Sequence, residues 1–293
     1  MQLIDGNKTA QVIKDEIKAE VATFEQAGKR APHLVAILVG DDDASQTYVA
    51  HKMKACHYVG FLSTNLRFPA TTSEADILAA VQNCNNDPHI DGIIVQLPLP
   101  KHVDYMKIIL AILPEKDVDG FHPANVGKMV MGLPTLLPAT PYGVLELIRR
   151  YNIPTYGKTC LVLGRSLIVG TPMSIMMGRM GVDATPILAY KHSNQAHIKQ
   201  FLGMADILIV AIGVPEFIKG EDLKEGVVVI DIGITHVADA SKKSGYSLKG
   251  DVHFESAAQK ASFITPVPGG VGPMTVTMLL KNTLEAYKLR IEN

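Results

Sequence analysis

A chain of 293 residues, 47% of them apolar and 19% charged, is long enough for about two cores of roughly 150 residues each and has the make-up of a compact soluble protein. A formal net charge of −1 argues against the strongly basic surface of a nucleic-acid binder. The three cysteines, Cys56, Cys84 and Cys160, stand far apart with no C-x-x-C pair, which argues against a disulfide framework or a zinc ribbon and for a reducing cytoplasm. The N-terminus lacks the apolar core of a signal peptide, and no run approaches the ~18 apolar residues that span a bilayer, so no membrane partner is expected.

In chain order, a helix is expected from about Asn7 to Ala27, then a strand in "HLVAILVG", a helix over 45–60, and a strand in "STNLRF". Thr71 and Glu74 suggest a capping box for a helix to about Asn85, followed by the almost wholly apolar strand of "DGIIVQLPLP". Alternating helices and strands imply βαβ units with parallel pairing. Between Pro114 and Pro141 the chain is rich in Pro and Gly and poor in periodicity, so a domain boundary is placed there. A helix over 142–151 and "KTCLVLG" begin a second α/β series, continued by "ATPILA", "ADILIVAIG" and "GVVVIDIGI". The chain closes with a strand, the Gly-Pro loop of "TPVPGGVGPMTV" and a long amphipathic helix able to return to the first domain.

In "SQTYVAHKMKACHYVG", helical spacing puts Ser45, Tyr48, Val49, Lys52, Met53 and Cys56 on one face. A lysine in such a stripe is either a snorkelling structural residue or an amine kept from water for chemistry, since burial disfavours the charged form. Gln96, the polar member of "IIVQLPLP", stands at a strand's carboxyl end, where open α/β sheets bind ligands; it either contacts a substrate or satisfies the loop before Pro98. Asp117 and Asp119 flank Val118 before Gly120 without the further oxygen ligands of a calcium loop, so no metal site is expected. A carboxylate held in that turn could pair with an amino-pyrimidine ring, although D-G commonly marks a surface turn.

"CLVLGRSLIVGTPMS" lacks G-x-G-x-x-G, but it keeps a strand, a glycine turn at Gly164 and a helix start at Gly170 and Pro172, features that suit a phosphate or an ordinary strand-turn-helix. The end of the next strand, "ILAYKHSNQ", offers Lys191, His192 and Ser193 but no acid. With Arg165, these favour NADP over NAD if they are not simply solvated loop residues. The prolines and glycines of "TPVPGGVGP", Pro268 and Gly269 among them, suggest either a rigid binding wall or a structural turn.

Taken together, "SQTYVAHKMKACHYVG", "VQLPLP", "KDVDGFHP", "GRSLIVGTP" and "PVPGGVGPMTV" follow one another in the order of a known family. The chain resembles the bifunctional methylenetetrahydrofolate dehydrogenase/cyclohydrolases nearly end to end. The resemblance implies an α/β protein of two domains: an N-terminal folate and catalytic domain, 1–120, completed by the C-terminal helix, 275–293, and a Rossmann-like NADP-binding domain, 121–274. It implies a cytoplasmic homodimer that oxidises 5,10-methylene-tetrahydrofolate to the methenyl form with NADP, and then hydrolyses that to 10-formyl-tetrahydrofolate for one-carbon metabolism and purine biosynthesis.

Carried over by residue, the resemblance makes Lys52 the general acid or base in a cleft between the domains, with Tyr48 shaping the folate pocket. Gln96 tunes Lys52, and Asp119 holds the pterin ring. Ser45, Pro268 and Gly269 join the folate site, while Gly164, Arg165, Ser166, Ser193 and Ile234 contact NADP. Departures from the family pattern are Ala139 for a common Cys, Asn194 where a basic residue is common, Thr235 for Asn and His253 for Asp. Another dehydrogenase, of a small hydroxy or amino acid, and a non-catalytic folate or nucleotide binder are the alternatives.

Overall fold

A computed structural model of the chain describes residues 1–239, 241–242 and 245–291. In chain order the first elements are β1 (Gln2–Leu3), α1 (Gly6–Gln26), β2 (His33–Val39), α2 (Asp43–Val59), β3 (Leu62–Phe68), α3 (Glu74–Asn86), β4 (Gly92–Val95), α4 (Tyr105–Ala111), α5 (Pro123–Val130) and α6 (Ala139–Arg150). Then come β5 (Thr159–Leu163), α7 (Gly170–Gly178), β6 (Thr185–Ala189), α8 (Gln195–Met204), β7 (Ile207–Val210), β8 (Val228–Asp231), β9 (Thr235–Ala238), β10 (Tyr246–Lys249), α9 (Phe254–Ala257), β11 (Phe263–Ile264) and α10 (Val271–Ile291). They form two compact units: Met1–Ala10 with Thr140–Thr275, and Gln11–Ala139 with the chain from Val276.

The first unit carries a six-stranded sheet in the order β1-β11-β8-β7-β5-β6, parallel throughout. Its central strands are short apolar runs, as suits strands covered on both faces. Leu161, Leu163, Leu208, Val210 and Val229 pack with Ile198 and Leu202 of α8 into one core. Each side chain so buried contributes roughly 1.5–3 kcal/mol. Because β6 lies on one side of β5 and β7 on the other, the strand order reverses at β5, and the crevice at the carboxyl ends of β5 and β7 is where such sheets take ligands.

The second unit has a three-stranded parallel sheet, β3-β2-β4, with Val35, Ile37, Ile93 and Val95 packed against Ile77 and Val81 of α3 and Ile108 and Ile112 of α4 and its end. The later part of α10 belongs here, as expected for a returning C-terminal helix. Asn282 Nδ2 donates to the carbonyls of Val118 and Leu137, both at 2.8 Å, and Tyr287 Oη donates to the Arg30 carbonyl at 2.6 Å. Gly92 is needed on β4, since a Cβ there would run into Val118 and Thr283.

The segments divide differently from the expected boundaries. Residues 1–10 pack with 140–275, because β1 adds to the sheet through β11, a two-residue pairing too short to leave a periodic pattern. Residues 121–139 belong with the three-stranded unit. The supposedly irregular stretch contains α5, opened by Pro123 in its first turn and N-capped by His122. The cap of α3 also differs from the Thr71/Glu74 box. Ser73 Oγ accepts from Asp76 N and donates to the Asp76 carboxylate at 2.6 Å, while Glu74 pairs with Lys107 at 2.9 Å.

Candidate active site

In the three-stranded unit, α2 begins where Asp42 accepts from Ser45 N at 2.8 Å and ends at Gly60 with φ 84°. Ser45, Val49 and Cys56 are buried along one face, and Lys52 on the same face is half-buried. Its Nζ donates to Gln96 Oε1 at 3.0 Å. Gln96 stands one residue beyond β4 with its N–H on the Ile37 carbonyl at 2.9 Å, and its Nε2 donates to the Leu97 carbonyl at 2.7 Å. Both ends of the amide are thus used, which fixes the carbonyl oxygen toward the amine. Ser45 Oγ donates to the same Leu97 carbonyl at 3.4 Å, beside the cis Leu97–Pro98 bond. Tyr48 departs from the expected apolar stripe: it is 47% exposed, its ring open to solvent.

"KDVDGFHP" turns at Gly120, with φ 76°, where a Cβ would strike the Leu137–Pro138 main chain. Asp117 is fully buried. One carboxylate oxygen accepts from His122 N at 2.7 Å and Asn125 Nδ2 at 3.0 Å, the other has no hydrogen-bond partner, and burial pushes its pKa up. Asp119 is only partly exposed. Desolvation pushes its carboxyl up to about 6, opposed by the Lys52 ammonium and reinforced by Asp117. One amine therefore serves two groups, the Gln96 carbonyl by hydrogen bond and the Asp119 carboxyl by charge. Tyr105, at the start of α4, was not anticipated: desolvation and then the charges of Asp119 and Asp117 push its phenol up to about 12. Its helix went unrecognised in a seven-residue stretch after "PKHVD", so the tyrosine had no face to be read from.

In the six-stranded unit, Gly164, Arg165 and Ser166 after β5, Tyr190, Lys191 and His192 after β6, and Ala211 and Ile212 after β7 line a cavity of about 330 Å³ at the reversal of strand order. Gly164, with φ 133°, is irreplaceable there because a Cβ would collide with the Ala211 carbonyl. Ser166 Oγ accepts from Val169 N at 3.2 Å and Gly170 N at 3.4 Å, bracing the start of α7. Ser193 braces the wall, accepting from Tyr190 N at 3.1 Å. Ile234 is 41% exposed and does not line the cavity. Three basic side chains and no carboxylate face the cavity, so its donor set and its close-packed glycine turn fit a phosphorylated dinucleotide. Pro268 and Gly269 belong to this unit also, in a loop with a cis Val267–Pro268 bond whose Gly269 carbonyl accepts from Asn7 N at 3.1 Å. Among the described residues no group of three or more His, Cys, Asp or Glu could hold a metal ion.

Residues 4–119 match the family model for the tetrahydrofolate dehydrogenase/cyclohydrolase catalytic domain, and residues 138–291 match that for its NAD(P)-binding domain. The chain belongs to the tetrahydrofolate dehydrogenase/cyclohydrolase family. It is similar to the bifunctional protein FolD of Flavobacterium johnsoniae, with 55% identity over 99% of this chain and 98% of that one. Among solved structures it resembles the bifunctional FolD of Campylobacter jejuni, with TM-score 0.93 and 40% identity over 99% of both chains. It also resembles the Trypanosoma brucei methylenetetrahydrofolate dehydrogenase-cyclohydrolase complexed with NADP and an inhibitor, with TM-score 0.95 and 39% identity over 99% of this chain and 98% of that one.

Within this tetrahydrofolate dehydrogenase/cyclohydrolase, Lys52 and Gln96 lie in the stretch matched by the catalytic-domain model, with Asp119 at its end, and the cavity lies in the NAD(P)-binding stretch. Two departures from the family pattern have structural work. Asn194 caps α8, accepting from Ala196 N at 2.9 Å, and His253 caps α9, its ring nitrogen accepting from Ser256 N at 3.4 Å. Ala139 is buried at the start of α6, and Thr235 opens β9; nothing in the structure explains the choice of either residue.

Proposed function

We propose that the chain oxidises 5,10-methylene-tetrahydrofolate to the methenyl form and hydrolyses that to 10-formyl-tetrahydrofolate, with Lys52 as the proton carrier of the second step. Membership of a family whose models cover both domains supports this over a dehydrogenase of small hydroxy or amino acids. The observation that carries the assignment of Lys52 is its 3.0 Å hydrogen bond to an amide that is itself held at both ends.

In the hydrolysis, water adds to the methenyl carbon and loses one proton, the bond from that carbon to N5 breaks as N5 gains a proton, and the hydroxyl releases its remaining proton to solvent as the formyl C=O forms. Lys52 is suited to both transfers, taking the proton from the attacking water and returning it to N5. Gln96 fixes where the amine points. Asp119 accepts hydrogen bonds from the amino-pyrimidine edge of the pterin, while Ser45 and Tyr48, of the same unit, bound the folate.

NADP, when bound, accepts hydride at its nicotinamide ring. Gly164, Arg165 and Ser166 are suited to its phosphates, with Ser193 shaping the wall and Ile234 meeting the cofactor farther along. The cations of the cavity favour NADP over NAD. For the oxidation the residues need only hold folate and cofactor in line, since no proton moves. A homodimer working in the cytoplasm completes the reading. The free, buried Cys56, Cys84 and Cys160 are consistent with a reducing compartment, and no helix among the described residues is long and apolar enough to cross a membrane. Following NADPH formation from methylene-tetrahydrofolate with NADP and NAD side by side tests the reading; no reduced cofactor with either would refute it.

A further inference from the structure

The cavity at the end of β5 contains an arrangement that neither strand implies alone. The guanidinium carbon of Arg165 lies 3.8 Å from the centroid of the Tyr190 ring. The ring of His192 meets the same tyrosine nearly edge-on, at 6.3 Å and 73°. Tyr190 is held from behind: its N–H donates to Ser193 Oγ at 3.1 Å, and its carbonyl accepts from Ser193 N at 2.8 Å. Arg165 is held at its own main chain, where its carbonyl accepts from Thr171 Oγ1 at 3.2 Å. Among the described residues no carboxylate forms an ion pair with Arg165, and none lines the cavity.

A long arginine that must find a phosphate from free solution loses rotamer freedom on binding, and a side chain already held in the bound geometry loses less. Stacking over an aromatic face holds the guanidinium plane while leaving its N–H fork free at the edge, the geometry in which arginine grips phosphate with paired hydrogen bonds. Asn194, one residue beyond Ser193, caps α8 by accepting from Ala196 N and supplies no charge here. We propose that Tyr190 is a positioning residue that presets Arg165 for the 2′-phosphate of NADP and so sets the preference of this chain for NADP over NAD. The inference rests on reading the cavity as the seat of the adenosine end of the cofactor.

Calorimetric titration of the cofactor-free protein with NADP, NAD, adenosine 2′,5′-bisphosphate and AMP reads the effect without turnover. Tyr190→Leu should weaken NADP and the bisphosphate about three- to fivefold while leaving NAD and AMP within about twofold, and Tyr190→Phe should restore wild-type affinity. Arg165→Lys keeps the charge but loses the stacked plane, and should show the same selective loss even if Tyr190→Leu fails to fold. Equal weakening of NADP and NAD in Tyr190→Leu, or no change in either variant, would overturn the inference. If the wild type binds neither dinucleotide, or Arg165→Met changes neither affinity, the cofactor reading of the cavity fails and this inference fails with it. A loss confined to Arg165→Met would sink the role of Tyr190 alone.

Discussion

The amine of Lys52 and the amide oxygen of Gln96 lie 3.0 Å apart, and the far end of that amide is tied to the Leu97 carbonyl at 2.7 Å. The glutamine is therefore a fixed acceptor. Gln96→Ala leaves the amine of α2 without its partner beyond β4 while sparing the helix, and cyclohydrolase kcat should fall about 10- to 100-fold with a smaller fall in the dehydrogenase. Separate kcat measurements for the two activities check this. Equal loss in both would mean that Gln96 only shapes the pocket.

Asp119 gives a pH signature. Its carboxyl is pushed from an ordinary 3.8 up to about 6, chiefly by desolvation. Between those values the folded protein holds a proton that the unfolded chain has released, so this group's contribution to stability is full below about 4 and lost as pH rises to about 6. Asp119→Asn stays neutral and should be more stable than wild type at pH 8, by about 1–3 kcal/mol, and equal to it at pH 4. Chemical denaturation at the two pH values measures this. On the proposed pairing of Asp119 with the pterin the ionised carboxylate is the accepting form, so the wild-type KM for folate should fall as pH rises through about 6 and stay high and flat in the variant.

Arg30 and Asp91 form an ion pair whose carboxylate is buried and whose guanidinium is partly exposed. Asp91 is fully buried, accepts both guanidinium ends at 2.6 and 2.7 Å and takes a third bond from His33 N at 2.9 Å. Arg30→Met leaves that carboxylate without its main counter-charge, with Arg290 4.0 Å away as its next ion-pair partner. A loss of roughly 2–4 kcal/mol in unfolding free energy is expected, with KM values unchanged below the melting transition. Stability within about 0.5 kcal/mol of wild type would show that Arg290 takes over.

The parts of this protein that were legible in its sequence are those written in side-chain periodicity. The stripe on α2, the apolar runs of β2, β4, β5, β7 and β8 and the glycine turn at Gly164 all lie close to where they were expected. What stayed hidden depends on main-chain partners or distant pairing. Lys52 invites notice because it interrupts an apolar face, yet among the described residues the buried lysine is Lys116. Its ammonium donates to the carbonyls of Cys84, Asn85 and Asp87 at 2.7–2.8 Å at the end of α3, and carbonyls leave no trace in residue identity. Tyr105 was missed because its importance comes from Asp117 and Asp119, which only the fold brings near. Likewise, the stacking of Tyr190 on Arg165 joins the ends of two strands that are neighbours only in the sheet.

Lys52→Met, assayed for hydrolysis of methenyl-tetrahydrofolate and for NADPH formation in the same preparation, tests the role of Lys52 as proton carrier most directly. Methionine keeps the length and apolar stem of the side chain but carries no proton. Hydrolysis should fall by at least about 100-fold, with hydride transfer reduced far less. A folded Lys52→Met protein that hydrolyses the methenyl form at the wild-type rate would contradict the central claim.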